Sequence, residues 1–435
     1  MAPIAASGDH RRVKSAAFLF ACGCAGAAPH WLDPARSLWP AISLALMLGG
    51  YGLRTVLQSE PSRRAPVGSS VDLPTLDVVV AARDEESVVT RLVERLTALR
   101  YPSGRLSTWV IDDGSLDRTP QLLDDLAATH ASLRVIHRPR DAGGGKSGAL
   151  NTALQQLRGE WLLVLDADAQ LQEDLLEHLL PYALDGGWSA VQLRKAVIDA
   201  DRNWLTRAQA MEMALDAVIQ QGRLSGGGVA ELRGNGQLIR RSVLEASGGF
   251  NEDTVTDDLD LSFRLLTHGA LVGILWDPPV QEEAVPGLAA LWKQRQRWAE
   301  GGLQRFFDYW PTLTSDQLSP RQRWDLACFF LLQYGLPMVS FADLSTSLVT
   351  RTPPSYWPLS FVAFSVSGLA YWRGCRNSSE GPAIPSAGPV QLLLAIVYLS
   401  HWFLVIPWVT LKMAVLPKRL VWAKTSHGEQ EPVQA

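Results

Sequence analysis

The chain is poor in cysteine and in net charge, and both shortages narrow what it can do. Its 435 residues include four cysteines, and none of them belongs to a C-x-x-C pair. A disulfide framework or a zinc site of the usual spacing is therefore not expected. The net charge is −4, so we expect no strong electrostatic field for nucleic acid and no nucleic-acid partner.

The sequence also lacks the two most common phosphate-binding motifs. The glycine-rich stretch 143–146 ends in Lys146, but a P-loop would need glycine where Arg140 stands. No G-x-G-x-x-G follows a strand there, so the dinucleotide fingerprint is absent as well. Alone, this stretch fits a flexible loop as well as a phosphate-binding turn, so the choice between them depends on the surrounding sequence.

Long apolar runs occur toward the two ends of the chain. The run 38–57 is about long enough to cross a bilayer. The shorter run 15–29 fits a signal-peptide core or the first arm of a helical hairpin, and we favour the hairpin because the longer run follows closely. Three more candidate spans are 325–349, 356–372 and 390–416.

Ionisable residues flank and interrupt these runs. Asp343 and His401 lie inside two of the candidates, where they fit either a functional site or contact with protein or interface. Basic residues around the N-terminal pair place both of its ends in the cytoplasm; they are Arg11, Arg12, Lys14, Arg63 and Arg64. Those around the C-terminal candidates disagree with three full spans, which leaves one segment as interfacial or re-entrant. These residues are Arg321, Arg323, Lys418, Arg419 and Lys424.

The composition divides the chain into four regions. Residues 1–70 hold one or two membrane helices, and residues 311–420 hold two or three more. Residues 71–310 are hydrophilic and end in an interfacial helix rich in aromatic and basic residues, and residues 421–435 are a polar tail. In 71–310, strands alternate with helices, which predicts an α/β fold with a parallel sheet covered on both faces.

Acidic residues and one lysine follow the ends of four predicted strands. The strands are 76–82, 108–112, 134–137 and 161–166, and the helices between them are 85–99, 117–130 and 146–157. Because ligands of such sheets bind at the carboxyl ends of the strands, these side chains are expected to share one site. Carboxylates beside a lysine suit a divalent cation and a nucleoside diphosphate. The residues are Glu85, Asp112, Asp113, Lys146, Asp166 and Asp168.

Three short patterns carry more specific chemistry. Asp166 and Asp168 are two residues apart in an extended segment, so both can face one Mg²⁺ or Mn²⁺ ion. Asp257 and Asp258 open a predicted helix, where they fit a catalytic pair or a charge on the helix dipole. Another helical stretch places an amide, a guanidinium and an indole on one face, although it also fits an amphipathic membrane-surface helix. Its residues are Gln294, Arg297 and Trp298.

In chain order the stretches read R-D-E-E, D-D-G-S, G-K-S-G-A-L-N, D-A-D, T-D-D-L-D and Q-R-Q-R-W. This series resembles the family 2 glycosyltransferases, the group that includes cellulose, chitin and hyaluronan synthases, over residues 76–302. The resemblance implies a GT-A (Rossmann-like) catalytic domain with flanking transmembrane helices. Two positions depart from the family pattern: Asp84 stands where asparagine is frequent, and Asp257 where glutamate is frequent.

The resemblance also implies a UDP-sugar donor and a place for it. Glu85, together with Asp112 or Asp113, would hold the uracil and ribose. Lys146 would lie near the nucleotide, with the glycine turn permitting close backbone approach, and Asp166 would lie at the diphosphate.

The catalytic roles implied by the resemblance fall on four further positions. Asp168, with Asp166, would bind Mg²⁺ or Mn²⁺. Asp258, beside Asp257, would be the general base, and a single base with direct displacement predicts inversion at the anomeric carbon. Arg297, on the helix face of Gln294, would stabilise the pyrophosphate, and Trp298 would stack on the acceptor.

Within the family, the stretches around Asp258 and Arg297 most resemble the cyanobacterial β-monoglucosyldiacylglycerol synthases. The resemblance therefore implies glucose transfer from UDP-glucose to 1,2-diacylglycerol by a multi-pass membrane protein whose catalytic domain is cytoplasmic. No protein partner is evident. A processive β-glycan synthase is the alternative, although the chain has few candidate spans for a channel. A degenerate transferase acting as a membrane scaffold is expected to lose a key residue, and Asp113, Asp168, Asp258 and Arg297 are all present.

Overall fold

The computed structural model describes residues 10–32, 37–61, 73–377 and 388–417. Several sequence-based predictions fall outside the described residues, namely those on Arg63, Arg64, Lys418, Arg419, Lys424 and the polar tail 421–435.

Seven strands form one sheet in the order β3-β2-β1-β4-β6-β5-β7. The strands are β1 (Leu76–Ala82), β2 (Leu106–Asp112), β3 (Leu133–His137), β4 (Trp161–Leu165), β5 (Ala190–Val197), β6 (Gln237–Arg240) and β7 (Val272–Glu282). The four predicted strands are confirmed, and they pair in parallel. The wholly parallel expectation is wrong for β6 alone, which runs antiparallel to β4 and β5, whereas β5 and β7 pair in parallel.

Helices cover the sheet and follow most of its strands. They are α3 (Val89–Thr97), α4 (Thr119–Thr129), α5 (Gly145–Leu154), α6 (Leu175–Asp185), α7 (Trp204–Ser225), α8 (Arg241–Ala246), α9 (Asp257–Thr267), α10 (Leu288–Asp308) and α11 (Trp310–Leu313). The apolar face predicted from Val88, Leu92 and Leu96 is buried. The helix itself begins at Val89 rather than at Glu85, because residues 86–88 form a turn.

The apolar ends of the chain are helical. They form α1 (His10–Leu32), α2 (Trp39–Gln58), α12 (Pro320–Phe330), α13 (Leu336–Thr350), α14 (Trp357–Asn377), α15 (Pro389–Leu399) and α16 (Trp402–Val415). A π-helical turn, Leu331–Gly335, joins α12 and α13 into one helix. Among the described residues, four helical segments are long and apolar enough to cross a membrane: α1, α2, α12–α13 and α15–α16. The predicted span 356–372 falls in α14, which is not among the four.

The N-terminal helices pack on different partners. Helix α1 packs on α13 and α16, whereas α2 packs on α14 and α7. The two predicted arms are therefore present as helices, but each is built into a different part of the helical layer. Asp343 accepts hydrogen bonds from the backbone N–H groups of Ser355 and Tyr356 and lies 2.8 Å from His30 Nε2. These contacts agree with the second of the two alternatives for Asp343, contact with protein, rather than with a functional site.

Helix α10 differs from the expected interfacial helix. Phe306 and Phe307 are buried in a core with α1 and α12–α13, and Arg295 and Arg305 are buried as well. Of the aromatic residues of α10, only Trp292 is exposed. Much of the aromatic and basic character of α10 therefore serves packing inside the protein rather than contact with a membrane.

A buried ionic group, here named the junction cluster, ties the sheet domain to the helical layer. It consists of Arg223, Glu231, Arg233, Arg305 and Asp325. Glu231 is fully buried and lies 3.0–3.6 Å from the three guanidinium groups nearest to it. Arg223 of α7 also pairs with Asp325 of α12 at 2.9 Å. The cluster thereby connects α7, α10 and α12.

Candidate active site

The carboxyl ends of β1, β2 and β4 lie side by side and form one edge of the candidate active site. In the parallel register Ala82 lies opposite Asp112, and Val80 lies opposite Leu165, the last residue of β4. The loops after these strands therefore leave the sheet at the same edge. Glu85 and Asp166 follow two of these ends, and both line a single cavity.

A glycine turn sets Lys146 at the start of α5. Gly143 and Gly144 have φ values of 74° and 69°, a left-handed conformation that side chains with a Cβ rarely adopt. Lys146 donates a hydrogen bond to Asp166. Burial acts to lower the pKa of Lys146, but the carboxylates of Asp166 and Asp257 raise it above its ordinary value. A permanent positive charge therefore stands beside the acidic residues.

Asp166 and Asp168 lie in different electrostatic surroundings. Burial acts to raise the pKa of Asp166, but the Lys146 ammonium lowers it below its ordinary value. Burial raises the pKa of Asp168 to about 8, and the carboxylates of Asp166 and Glu282 add to that shift. The ionised form of Asp168 is therefore disfavoured until further positive charge arrives.

Asp166 and Asp168 fit a divalent cation that is held partly by the protein and partly by the phosphates of a bound substrate. Among the described residues, no group of three or more His, Cys, Asp or Glu side chains forms a complete metal site. Magnesium is commonly held by one or two carboxylates together with substrate phosphates and water. Asp168 offers a hard oxygen ligand, and a cation beside it would favour the ionised carboxylate that burial opposes.

Lys195 and Glu282 join the site although the sequence analysis did not identify them. Lys195 of β5 and Glu282 at the end of β7 form an ion pair at 2.9 Å, and both line the cavity. The Lys195 ammonium also lies 5.5 Å from the centre of the Trp298 ring. The sequence signal for Lys195 was its charge inside the largely apolar strand A-V-Q-L-R-K-A-V, but the neighbouring residues did not indicate that Glu282 is its partner.

Asp257 and Asp258 occupy the first turn of α9, as predicted, and both line the cavity. Burial raises the pKa of Asp258 to about 6, and the neighbouring Asp257 carboxylate adds to the shift. A carboxylate with a pKa nearer to neutrality is a better proton acceptor than an ordinary aspartate. The geometry and the pKa of Asp258 are therefore suited to a general base.

Helix α10 presents Gln294, Arg297 and Trp298 to the cavity, as their spacing predicts. Arg295 does not line the cavity; it forms an ion pair with Glu212, and its guanidinium lies 4.0 Å from the centre of the Trp298 ring. The Tyr398 hydroxyl lies within hydrogen-bonding distance of both Arg295 and Glu212. Arg295, which the sequence analysis did not single out, therefore supports Trp298 from behind.

Asp112 and Asp113 lie at the same edge of the sheet but outside the lining of the cavity. Neither is among the residues lining the cavity, and both are buried. Asp112 accepts a hydrogen bond from the Ser115 backbone and lies 3.0 Å from His137 Nδ1. Asp113 is paired with Arg138. Their assignment to the donor base and ribose stays a prediction.

One cavity of about 770 Å³ joins two kinds of lining. At one end it is lined by the charged residues described above. Toward the helical layer it is lined by apolar residues of α2, α13, α14 and α16, including Leu48, Leu336, Val362 and Phe403. Cavities of this size and mixed lining are typical of sites that enclose a whole small ligand. A polar reaction centre and an apolar compartment are thus continuous.

Comparison with known proteins agrees with this geometry. Residues 74–301 match the family model described as glycosyltransferase like family 2. A β-monoglucosyldiacylglycerol synthase from Synechocystis is 42% identical over 97% of this chain and 89% of its own length. The corresponding Nostoc protein is 40% identical over 89% of this chain and 83% of its own length.

A solved structure shows the same fold. It is a mannosyltransferase from Pyrobaculum calidifontis in complex with GDP-Man and Mn²⁺, which superposes with a TM-score of 0.55 at 21% identity. The superposition covers 88% of this chain and 99% of the other. The expected GT-A architecture is thereby confirmed. With the family model covering more than half of its length, the chain belongs to the glycosyltransferase-like family 2.

Proposed function

We propose that the protein transfers glucose from UDP-glucose to the free hydroxyl of 1,2-diacylglycerol, with inversion, to give β-monoglucosyldiacylglycerol. The observation that carries the proposal is one continuous cavity that is lined by carboxylates, including Asp168 and Asp258, and also by apolar side chains of the helical layer. The names and the 40–42% identity of the two cyanobacterial relatives support the same reaction. The choice of glucose rests on those relatives.

The donor end of the reaction is assigned to the charged half of the cavity. Lys146 and Arg297 would bind the diphosphate of the donor, and their positive charges would stabilise the departing UDP. Asp168, with Asp166 beside it, would hold Mg²⁺ or Mn²⁺. When bound, the cation neutralises charge that grows on the leaving diphosphate. Glu85 lines the same cavity and would contact the nucleoside.

Asp258 would act as the general base for the acceptor. It would remove the proton from the acceptor hydroxyl as the hydroxyl oxygen forms a bond to the anomeric carbon. The bond from that carbon to the UDP oxygen breaks in the same displacement, and UDP leaves with the electron pair. Attack from the face opposite UDP inverts the centre, so an α-linked donor gives a β-glucoside. Trp298 would pack against the acceptor.

We also propose one side of the membrane for the catalytic unit, 71–310. The start of α1 and the end of α16 are adjacent, since Arg12 donates a hydrogen bond to the Val415 carbonyl oxygen at 3.0 Å. Arg11 pairs with Asp308 at the end of α10. These contacts place the start of α1, the end of α16 and the end of the catalytic unit together, and the basic residues near α1 favour the cytoplasm.

The candidate spans fit the interfacial alternative for the C-terminal segments, with α14 as the segment that does not cross. Together α15 and α16 form a helical segment of 27 residues, longer than the roughly 20 that a single helix needs to cross a bilayer. A multi-pass protein with both of these ends in the cytoplasm would satisfy the positive-inside tendency. Attachment of a reporter to either end, followed by protease protection in sealed vesicles, tests this arrangement.

The reaction is tested by supplying membranes with radiolabelled UDP-glucose, Mg²⁺ and diacylglycerol. The expected product is a labelled lipid that partitions into organic solvent and carries one β-linked glucose. Parallel incubations with UDP-galactose and UDP-N-acetylglucosamine test the choice of donor. Label in an aqueous polymer that a β-glucanase digests would favour the processive synthase, and no turnover of any donor would favour the scaffold.

A further inference from the structure

The apolar part of the cavity has the features of a compartment for hydrocarbon. We name it the acyl channel and define it by Leu48, Gly52, Leu332, Leu336, Ala363 and Phe403. These residues come from α2, from the π-helical turn and α13, and from α14 and α16. All of these elements except α14 belong to segments that are long and apolar enough to cross a membrane. The lining is therefore suited to an apolar occupant that arrives from a bilayer.

Close packing of α2 against α14 bounds the acyl channel on one side. A Cβ on Gly49 would lie 2.4 Å from a methyl group of Val362, and a Cβ on Gly52 would lie 3.1 Å from a methyl group of Val366. Glycine at both positions therefore permits the two helices to approach closely. Phe403 of α16 also lines the acyl channel, and its ring stacks on Phe364 of α14 with ring centres 5.5 Å apart.

Helix α7 marks the border between the acyl channel and the reaction centre. Its residues Glu212, Asp216 and Ile219 all line the cavity. Glu212 accepts a hydrogen bond from Trp402 Nε1 at 3.0 Å, and Asp216 pairs with Arg233 at 3.2 Å. A molecule that spans this border needs a polar centre and an apolar tail. Diacylglycerol has that division between its glycerol esters and its acyl chains.

We propose that one acyl chain of the acceptor lies in the acyl channel while its hydroxyl reaches Asp258. The inference rests on the proposed function and deepens it, because it assigns the residues that recognise the acceptor's hydrocarbon. Burial of each methylene in such a lining is favourable, so the acyl channel makes acceptor use depend on chain length. The residues that select the acceptor are then in the membrane helices rather than in the sheet domain.

Two positions on α14 provide a matched test. Ala363 lines the acyl channel, whereas Ser365, two residues further on, is exposed and is not part of the lining. Phenylalanine is introduced at each position, and Ala363→Leu serves as a smaller filling of the acyl channel. For each variant, kcat/KM is measured with a dipalmitoyl and a dihexanoyl glycerol in the same detergent micelles, together with thermal unfolding.

The expected result is a change in the ratio of the two kcat/KM values. Ala363→Phe should lower the long-to-short ratio by about tenfold or more, the equivalent of about two buried methylenes, and Ala363→Leu should lower it less. Ser365→Phe should leave the ratio unchanged. Equal losses for both acceptors in the Ala363 variants, or a ratio that does not move in the folded variants, would overturn the proposal.

The controls separate this proposal from the proposed function. If the wild-type protein forms no glucolipid from either acceptor, the proposed function itself fails. If it forms the glucolipid but the ratio is insensitive to Ala363→Leu, only the acyl channel is wrong. The smaller substitution keeps the test decisive should Ala363→Phe fail to fold, because leucine adds less volume than phenylalanine.

Discussion

Two groups of buried or half-buried charges are built from the same residue types but are in opposite electrostatic states. The junction cluster surrounds one carboxylate, Glu231, with three guanidinium groups. Burial acts to raise the pKa of Glu231, but Arg305, Arg223 and Arg233 lower it to about 2. The second group lines the cavity and includes Asp166, Asp168 and Glu282. Its electrostatic state is the opposite, since burial raises the pKa of Asp168 to about 8.

The difference indicates which group is organised for a ligand. A carboxylate whose charge is balanced inside the protein has little to gain from another cation, so the junction cluster is structural. Asp168 and Asp258 both have raised pKa values, and both line the large cavity. A bound cation would stabilise the ionised form of Asp168, and the raised pKa of Asp258 suits it to accept a proton from the acceptor. The junction cluster therefore has a structural role, whereas Asp168 and Asp258 are suited to a ligand and to catalysis.

The largest expected effect follows from removing the charge at Asp168. The substitution Asp168→Asn should abolish measurable transfer while the protein still folds, because the residue lies in a loop after β4 rather than in the core. Removal of divalent cations with EDTA should have the same effect on the wild-type protein, and Mg²⁺ or Mn²⁺ should restore activity. Transfer is measured with labelled donor, and full activity in metal-free buffer would contradict the assignment of Asp168.

The next effect concerns the base. Asp258→Asn should lower kcat by about 10²–10⁴, the usual contribution of a positioned acid–base group, with little change in donor binding. Because burial raises the pKa of Asp258, its ionised form opposes folding at neutral pH, and the asparagine variant should unfold at a higher temperature. Asp257→Asn is the matched control, and a larger loss of kcat in that variant would reverse the assignment of the pair.

The junction cluster should respond in the opposite sense. Glu231→Gln leaves three guanidinium groups close together without a neutralising carboxylate, and it should destabilise the protein by about 3–5 kcal/mol. Thermal or denaturant unfolding in detergent measures the change. The control is Glu245→Gln, which removes a solvent-exposed pair with Arg241 and should change the free energy of unfolding by less than about 1 kcal/mol. Similar stability of the two variants would remove the distinction between the clusters.

The parts of the site that were predictable have local causes. Asp166 and Asp168 follow a short apolar strand, and Asp257 and Asp258 open a helix with a clear apolar face, so a few neighbouring residues define both patterns. The parallel pairing of the first four strands follows from their alternation with helices. The two acidic patterns require only about one turn or one strand of sequence around each residue, whereas the strand pairing requires the alternation over residues 76–165.

The parts that were missed depend on contacts between distant residues. Lys195 and Glu282 meet because β5 pairs in parallel with β7, and the two residues are far apart in the chain. The same holds for Arg295, whose partners Glu212 and Tyr398 belong to α7 and α15. Burial of Phe306 was also not foreseen, because an amphipathic pattern does not say whether membrane or protein covers the apolar face.

The smallest expected effect is a dependence on pH, to which Asp258 and Glu231 respond differently. With the pKa of Asp258 raised to about 6, its ionised, proton-accepting form dominates above that pH and is lost below it. Transfer measured as kcat/KM should therefore fall by about tenfold between pH 7 and pH 5. Glu231, whose pKa is lowered from 4.5 to about 2, stays ionised over this range, so its stabilising contribution is present throughout and is lost as the pH falls from the first value through the second.

The substitution Asp257→Asn tests the origin of this acid limb. Burial is the main cause of the raised pKa of Asp258, and the Asp257 carboxylate adds to it, so removing that charge should move the limb to lower pH without abolishing it. Unfolding temperatures recorded across the same pH range distinguish titration of the base from loss of the fold. An acid limb at the same pH in both proteins would mean that another group governs it, whereas a limb that moves in the Asp257 variant identifies Asp258 as the titrating base.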